Sequence, residues 1–311
     1  MSAVERPAPV VVAVDGSTRS AGAVRYAVGE ARRRGSGVRV VHVVPAPLPE
    51  GGLWPAQAGD VTYLERSGTD TVRREVAAIR AVAPGMEVEP VVAAGPRVAR
   101  LVEAAATGGL MVLGRETRHG VERLVTGTTT ADVAARAAVP VVVVPARWQD
   151  GGHGRVVVGV KTLAGADELL AHAFAEAAAR HAVLRVVHAV EIPGLATDLG
   201  VADAYVGESV ENASRLLRRL VDDWSAVHPA VEVEARVVQG LPDKVLAEAA
   251  ADADVLVVAR HRRGLRHPVR LGSTPRAVLG TCDTPVEILP LPGEPTAMPL
   301  VLESDGEVLK D

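Results

Sequence analysis

The residues best suited to chemistry lie in one glycine- and threonine-rich segment, residues 114–128, which reads GRETRHGVERLVTGT. The segment follows an apolar run and precedes an alanine-rich helical stretch, so it connects a predicted buried strand to a helix N-terminus. Backbone N–H groups at a helix N-terminus lack internal partners and, together with the helix dipole, attract anions. The segment is therefore a candidate phosphate site, although the same order of strand, loop and helix also connects α/β units that bind nothing.

A carboxylate at the end of the first predicted strand is the second candidate. Asp15 follows the apolar run 10–14 in the sequence VVVAVDGS. In an open α/β sheet, ligands bind beyond the carboxyl ends of the strands, where the strand order reverses. For the order 3-2-1-4-5 that crevice has Asp15 on one wall and Gly114 on the other, so it offers hydrogen-bond acceptors for a nucleoside and a loop for phosphates. The alternative role for Asp15 is that of a turn or helix-capping residue.

The elements that position these residues alternate between strand and helix. The first half contains five apolar strands separated by helical segments, near residues 10–14, 38–44, 87–93, 110–113 and 141–144. This order predicts an α/β fold, a doubly wound five-stranded parallel sheet of order 3-2-1-4-5 with helices on both faces. Apolar runs rich in β-branched residues suit strands that are buried on both faces.

The whole unit occurs twice in the chain. RVVHVV at 39–44 recurs as RVVHAV at 185–190, 146 positions later. Three further residues recur 145 positions later: Gly95, Gly127 and Pro140, as Gly240, Gly272 and Pro285. A repeat of this length is a domain, because solenoid repeats span roughly 20 to 50 residues. We predict two tandem domains at 1–148 and 155–291, a linker at 149–154 and a disordered acidic tail at 292–311.

Composition narrows the class of protein. The 311 residues are 48% hydrophobic and 23% charged, which is typical of a globular protein large enough for two cores. A formal net charge of −4 gives no global reason to expect nucleic-acid or membrane binding. The single cysteine, Cys282, excludes an internal disulfide, and the longest apolar run is too short to span a bilayer. We expect a cytoplasmic protein.

The second half differs from the first where chemistry is expected. Lys161 stands at the position of Asp15, and a lysine cannot accept the hydrogen bonds that a carboxylate accepts. A run of basic residues lies near its fourth strand: Arg260, His261, Arg262, Arg263, Arg266, His267, Arg270 and Arg276. This cluster suits a phosphate-rich ligand, an acidic partner or nucleic acid, or else it is a solvated loop balanced by the acidic tail. No aromatic residues accompany it, which argues against single-stranded nucleic acid.

The segments VVVAVDGS, VRVVHVV and the glycine-rich loop before VPVVVVP together resemble the universal stress protein family in a tandem two-domain form, over residues 8–291. ATP-binding members carry Gly-x-x-Gly, nine residues, then Gly-Ser or Gly-Thr. That motif falls on Gly114, Thr117, Gly127 and Thr128, with Thr117 in place of the second glycine. The resemblance implies ATP, with or without magnesium, in a site made of Ala13, Val14, Asp15, Val43, Leu113, Gly114, Arg115, Thr117, Gly127, Thr128, Thr129 and Thr130.

The resemblance also implies a role and an assembly. It indicates a stress-response sensor or regulator with one nucleotide in the first domain and an unknown protein partner. The last strands of the two halves, near 141–144 and 286–289, would pair as in a dimer fused into one chain, and whole chains would associate further. Two other functions remain open: a nucleotide-free interaction module that uses the arginine-rich loop, and a slow ATPase. His42 and His188 lie at equivalent places in apolar strands, where a structural role is expected.

Overall fold

A computed structural model describes residues 7–45, 58–115, 128–163, 165–191, 202–261 and 270–291. The first half contains β1 (Val10–Ala13), a 3-10 turn (Thr18–Ser20), α1 (Ala21–Arg34), β2 (Val38–Val44), α2 (Ala58–Val82), β3 (Val88–Ala94), α3 (Arg97–Ala105), β4 (Leu110–Arg115), α4 (Thr128–Arg136) and β5 (Val141–Pro145). The second half contains β6 (Arg155–Gly159), α5 (Asp167–Arg180), β7 (Val183–Val190), α6 (Ala202–Val227), β8 (Val233–Gln239), α7 (Pro242–Ala249), β9 (Val255–His261), α8 (Ser273–Thr281) and β10 (Val286–Leu291). None of the described helices is both long and apolar enough to cross a membrane.

The strands form one ten-stranded sheet of order β3-β2-β1-β4-β5-β10-β9-β6-β7-β8. Each half is parallel, and the first half has the predicted order 3-2-1-4-5. The two halves join where β5 and β10 pair antiparallel, with Val142 opposite Glu287. These two residues are 145 positions apart, as are other equivalent residues of the repeat, so a local pseudo-two-fold axis passes between them. The predicted pairing of the last strands is thus confirmed within one chain.

The two faces of the sheet are packed differently. On one face a single apolar core runs across both halves, and Leu101 of α3, Val133 of α4 and Leu279 of α8 all contribute to it. On the other face each half has its own core, covered by α1 and α2 in the first half and by α5 and α6 in the second. Burial of apolar surface therefore couples the halves on one face only.

Charged residues fill the gap between the separate cores. We call Tyr26, Glu30 and Arg34 of α1, His172, Glu176 and Arg180 of α5, and Glu287 of β10 the α1–α5 ion cluster. Arg180 donates to Glu30 and Glu176, and Arg34 donates to Glu176 over 2.9 Å. Burial would raise the pKa of Glu30, but the charges of Arg180 and Arg33 outweigh it and hold that pKa below its ordinary value. Such reciprocal pairing is what buried charges require.

The repeat relates the members of this cluster in pairs. Tyr26 and His172, Glu30 and Glu176, and Arg34 and Arg180 are each 146 positions apart. The pairs of glutamates and arginines are identical, whereas the first pair differs. Tyr26 accepts a hydrogen bond from Arg180 over 3.0 Å, while His172 Nε2 lies 2.8 Å from Glu287. The ion pairs of the cluster are therefore related by the repeat, whereas Tyr26 and His172 make different contacts.

The linker between the halves is anchored at its second end. The carboxylate of Asp254 accepts hydrogen bonds from the backbone N–H groups of His153 and Arg155, over 2.8 and 3.1 Å. At the first end, Arg25 of α1 donates to the carbonyl of Trp148 over 3.0 Å through Nε. Of these contacts, the one at the N–H of Arg155 is half-buried, where a backbone polar group needs a partner.

Candidate functional site

A cleft of about 420 Å³ opens at the carboxyl ends of β1, β2 and β4, where the strand order reverses. The predicted site residues that line it are Ala13, Val14, Asp15, Val43, Leu113, Gly114, Arg115, Thr129 and Thr130. Thr117 and Gly127 lie outside the described residues, as does the side chain of Thr128, whose backbone begins α4. Residues from four separated stretches of the chain thus meet at one edge of the sheet.

Asp15 caps its own turn and keeps acceptor capacity. Its Oδ1 accepts hydrogen bonds from the N–H of Ser17 (2.9 Å), the Oγ of Ser17 (2.6 Å) and the Oγ of Ser20 (3.0 Å). Burial would raise the pKa of Asp15, but the bonds from Ser17 and Ser20 and the charge of Arg19 together lower it. Among the described residues none donates to Oδ2. The capping role and the ligand-binding role assigned to Asp15 are therefore compatible.

Gly114 has a packing role at the rim of the cleft. A Cβ at this position would collide with the carbonyl oxygen of Arg19 and lie 3.2 Å from the Cα of Ser20. Only glycine lets the 3-10 turn after β1 pack against the end of β4. The family resemblance places Gly114 among the nucleotide-binding residues, and the close approach that the structure shows at this glycine is by the protein backbone.

Arg115, the last residue of β4, brings a buried guanidinium to the cleft. Its Nε and Nη2 are buried and have no hydrogen-bond partner in the described part of the chain. Burial lowers the pKa of Arg115, and Cys282 and Asp283 of the second half oppose this effect. Buried donors without partners are costly, which makes this guanidinium a candidate to pair with an anion.

Other lining residues were not predicted. Leu64, Ser67 and Gly68 come from α2, Arg97 and Leu101 come from α3, and Leu279 and Gly280 come from α8 of the second half. Gly68 offered a signal, because a glycine inside a helix often marks close packing, and a Cβ there would meet Val44 at 2.8 Å. Nothing in the sequence near Leu279 and Gly280 indicates that they line the cleft, because their position there depends on how the two halves pair.

Two equivalent histidines have the expected structural role. His42 Nδ1 lies 2.7 Å from the carbonyl oxygen of Val14, and His188 Nδ1 lies 2.9 Å from that of Val160. Because a carbonyl can only accept, Nδ1 donates in both cases. In each half this bond ties the second strand to the end of the first strand. His42 also lines the cleft.

The second half departs from the prediction at Arg260. One of the two interpretations of the basic run placed Arg260 in a solvated loop, but Arg260 belongs to β9 and is only 7% exposed. Arg260 Nη2 donates to the carbonyl oxygen of Ala137, at the end of α4 in the first half. The solvated-loop interpretation is therefore wrong for this residue. The basic residues at 262–269 lie outside the described residues, and Arg270 is exposed.

One group of side chains has the spacing of a metal site. His172, Glu176 and Glu287 bring one ligand atom each to within 4.8 Å of one another. Both carboxylate oxygens of Glu176 are already bound by Arg34 and Arg180. A metal cation would have to displace or face these two guanidinium groups, so this arrangement is better explained as part of the ion cluster.

Comparison with known proteins agrees with the fold and the repeat. The profile of the Universal stress protein family matches residues 8–145 and again 152–290. The chain is 30% identical over 304 residues to universal stress protein Rv2005c of Mycobacterium tuberculosis, covering 92% of this chain and 98% of the relative. It is 28% identical over 288 residues to a universal stress protein of Mycolicibacterium smegmatis, covering 90% and 96%. A universal stress protein structure from Archaeoglobus fulgidus has a similar fold, with a TM-score of 0.66 at 20% identity, over 90% of this chain and 98% of that one. The chain therefore belongs to the universal stress protein family and carries two of its domains in tandem.

Proposed function

We propose that the protein binds one adenine nucleotide, ATP in the first instance, in the cleft of its first half and acts as a nucleotide-dependent stress-response regulator rather than a dedicated enzyme. The observation that carries this proposal is the pairing of opposite charges around one cleft. Asp15 is an ionised acceptor at the end of β1, and Arg115 brings buried donors at the end of β4. The single buried cysteine, Cys282, suits the reducing cytoplasm in which we place the protein.

The chemistry of the cleft suits the two ends of a nucleotide. A carboxylate accepts hydrogen bonds from ribose hydroxyls or an amino group, while a guanidinium and a helix N-terminus attract phosphates. Thr129 and Thr130, in the first turn of α4, line the same cleft. The volume of about 420 Å³ lies within the usual range of ligand pockets, roughly 300 to 1,000 Å³. Magnesium would accompany the phosphates, where its charge offsets theirs.

The second half lacks this combination. Lys161 is the counterpart of Asp15, and the counterpart of Arg115 is Arg260, whose guanidinium binds Ala137. A cation in place of the acceptor and an engaged arginine in place of the available one both disfavour a nucleotide there. The proposal therefore sets the stoichiometry at one nucleotide per chain.

Isothermal titration of the full chain with ATP, with and without magnesium, tests the proposal. We expect about one ATP per chain, and Asp15→Ala should weaken binding by about 10- to 100-fold, because a charge-assisted hydrogen bond contributes about 1.5–3 kcal/mol. Lys161→Ala, at the equivalent position of the second half, is the matched control and should bind like the wild type. Circular dichroism confirms that both variants fold. Equal affinities of the two variants, or no uptake by the wild type, would refute the assignment.

A further inference from the structure

We propose that Arg260 of the second half is a positioning residue for the nucleotide site of the first half. It holds the C-terminal end of α4, and the N-terminal turn of the same helix lines the cleft. This inference rests on the proposed function for its effect on ATP, while its effect on α4 can be measured without any ligand.

The first step is the contact itself. Arg260 is buried, and its Nη2 donates to the carbonyl oxygen of Ala137, across a sequence separation of 123 residues. Ala137 directly follows α4, is fully buried, and donates its own N–H to Val133 over 2.9 Å. The last carbonyl groups of a helix lack internal partners and carry partial negative charge, so a cation is favourable at this end. The second half therefore supplies the C-terminal partner of a first-half helix.

The second step is the geometry of the helix. α4 has nine residues, which corresponds to a length of about 13 Å. Its first turn brings Thr129 and Thr130 to the cleft, and its middle brings Val133 and Ala134 into the core that both halves share. A helix this short moves as one body, so a shift at Ala137 is transmitted to the threonines. Small displacements of groups that contact a ligand are sufficient to weaken binding.

The third step is the equivalent contact in the other direction. Arg115 stands at the position of Arg260 in the first half, and its guanidinium faces Cys282 and Asp283 just after α8. Leu279 and Gly280 of α8 line the cleft as well. Each terminal strand arginine thus lies against the end of the other half's last helix. Nη2 of Arg260 is bound to Ala137, whereas Nε and Nη2 of Arg115 have no hydrogen-bond partner in the described part of the chain, so Arg260 holds a helix and Arg115 can bind an anion.

The test compares Arg260→Met with Arg270→Met, an exposed arginine of the second half whose replacement removes the same charge. Hydrogen–deuterium exchange of residues 128–137 without ligand should be at least about tenfold faster in Arg260→Met than in the wild type. ATP affinity should fall roughly three- to tenfold, within the range of coupling effects between distant sites. Arg270→Met should change neither quantity.

Arg260→Lys keeps a cation at this position and should restore part of both losses, which a general loss of packing would not predict. Unchanged exchange in α4, or faster exchange with unchanged ATP affinity, overturns the proposal. A wild type that binds no ATP refutes the proposed function instead, and the exchange of α4 then decides alone whether Arg260 holds the helix.

Discussion

Gly35 and His181 lie at equivalent helix ends of the two halves and adopt the same backbone conformation, although the residue types differ. Gly35 follows α1 with a φ of 61°, and His181 follows α5 with a φ of 51°. The left-handed conformation ends both helices, with N–H groups bonded back to the last turn. Histidine adopts this conformation at a steric cost that glycine avoids.

We therefore expect His181→Gly to stabilise the protein by about 0.5 kcal/mol and Gly35→Ala to destabilise it by about 1 kcal/mol. A Cβ at Gly35 would meet nothing within 4 Å, so the second effect isolates backbone conformation. Urea unfolding followed by circular dichroism measures both differences. A loss of stability in His181→Gly would show that the exposed imidazole makes a stabilising contact.

At this scale the local sequence pattern predicts where a residue lies when that position depends on the residues beside it. The position of Asp15 after an apolar strand predicted an acceptor at the crevice, and the structure places it there, bonded to Ser17. Arg260 was misjudged because its neighbours in sequence are basic, whereas its contact, Ala137, is remote in sequence. The partner of a buried charge cannot be read from the residues beside it.

At the scale of elements, the α1–α5 ion cluster contains a histidine, His172, whose protonation is linked to folding. Burial would lower the pKa of His172, but the hydrogen bond and charge of Glu287, with a further contribution from Glu176, raise it despite the nearby charge of Arg34. A raised pKa means that the folded state binds the proton more tightly than the unfolded state. The stabilisation is therefore complete below the unfolded pKa, about 6.5, and is lost as the pH rises through the folded pKa.

We expect the free energy of unfolding of the wild type to fall relative to that of His172→Gln as the pH is raised above about 6.5, by at most about 1.4 kcal/mol per pH unit. Urea titrations at a series of pH values measure this difference. Parallel curves for the wild type and His172→Gln would contradict this assignment.

The order of elements was predictable because alternating apolar strands and helices allow few connections, and right-handed crossovers then set the strand order. The ion cluster was not predicted, since the ion pairs that join its two helices connect residues 142 and 150 positions apart. A signal existed nevertheless. Alignment of the two halves places Glu30 on Glu176 and Arg34 on Arg180, and across a two-fold interface such residues can form the same ion pair in both directions.

At the scale of the whole molecule, the continuous sheet and the shared core predict that both halves unfold together. Trp148 lies 5.2 Å from Tyr26 in the first half, and Trp224 lies 6.0 Å from Phe174 in the second, measured between ring centroids. Two variants report on the halves separately: one keeps Trp148 and the other keeps Trp224. In each variant the other two tryptophans, Trp54 among them, are replaced by phenylalanine. In each variant the fluorescence midpoint in urea should coincide with the midpoint from circular dichroism.

Ile288→Lys provides the control for this experiment. Ile288 is fully buried in the β5–β10 ladder, opposite Val141. A charge there should weaken the junction and separate the two fluorescence transitions. Two separate transitions in the parent variants would instead show that the halves are independent folding units.

The antiparallel pairing of β5 with β10 also changes what a single mutation can do. In a homodimer of one such domain, a mutation changes the same residue in both subunits. A lysine at the position of Asp15 would then remove the acceptor from both clefts at once. In this chain the two positions are encoded separately, and they hold Asp15 and Lys161. Tyr26 and His172 differ in the same way. Because both halves are encoded in one chain, the two copies of each position can vary independently, so one copy can specialise while the other remains intact.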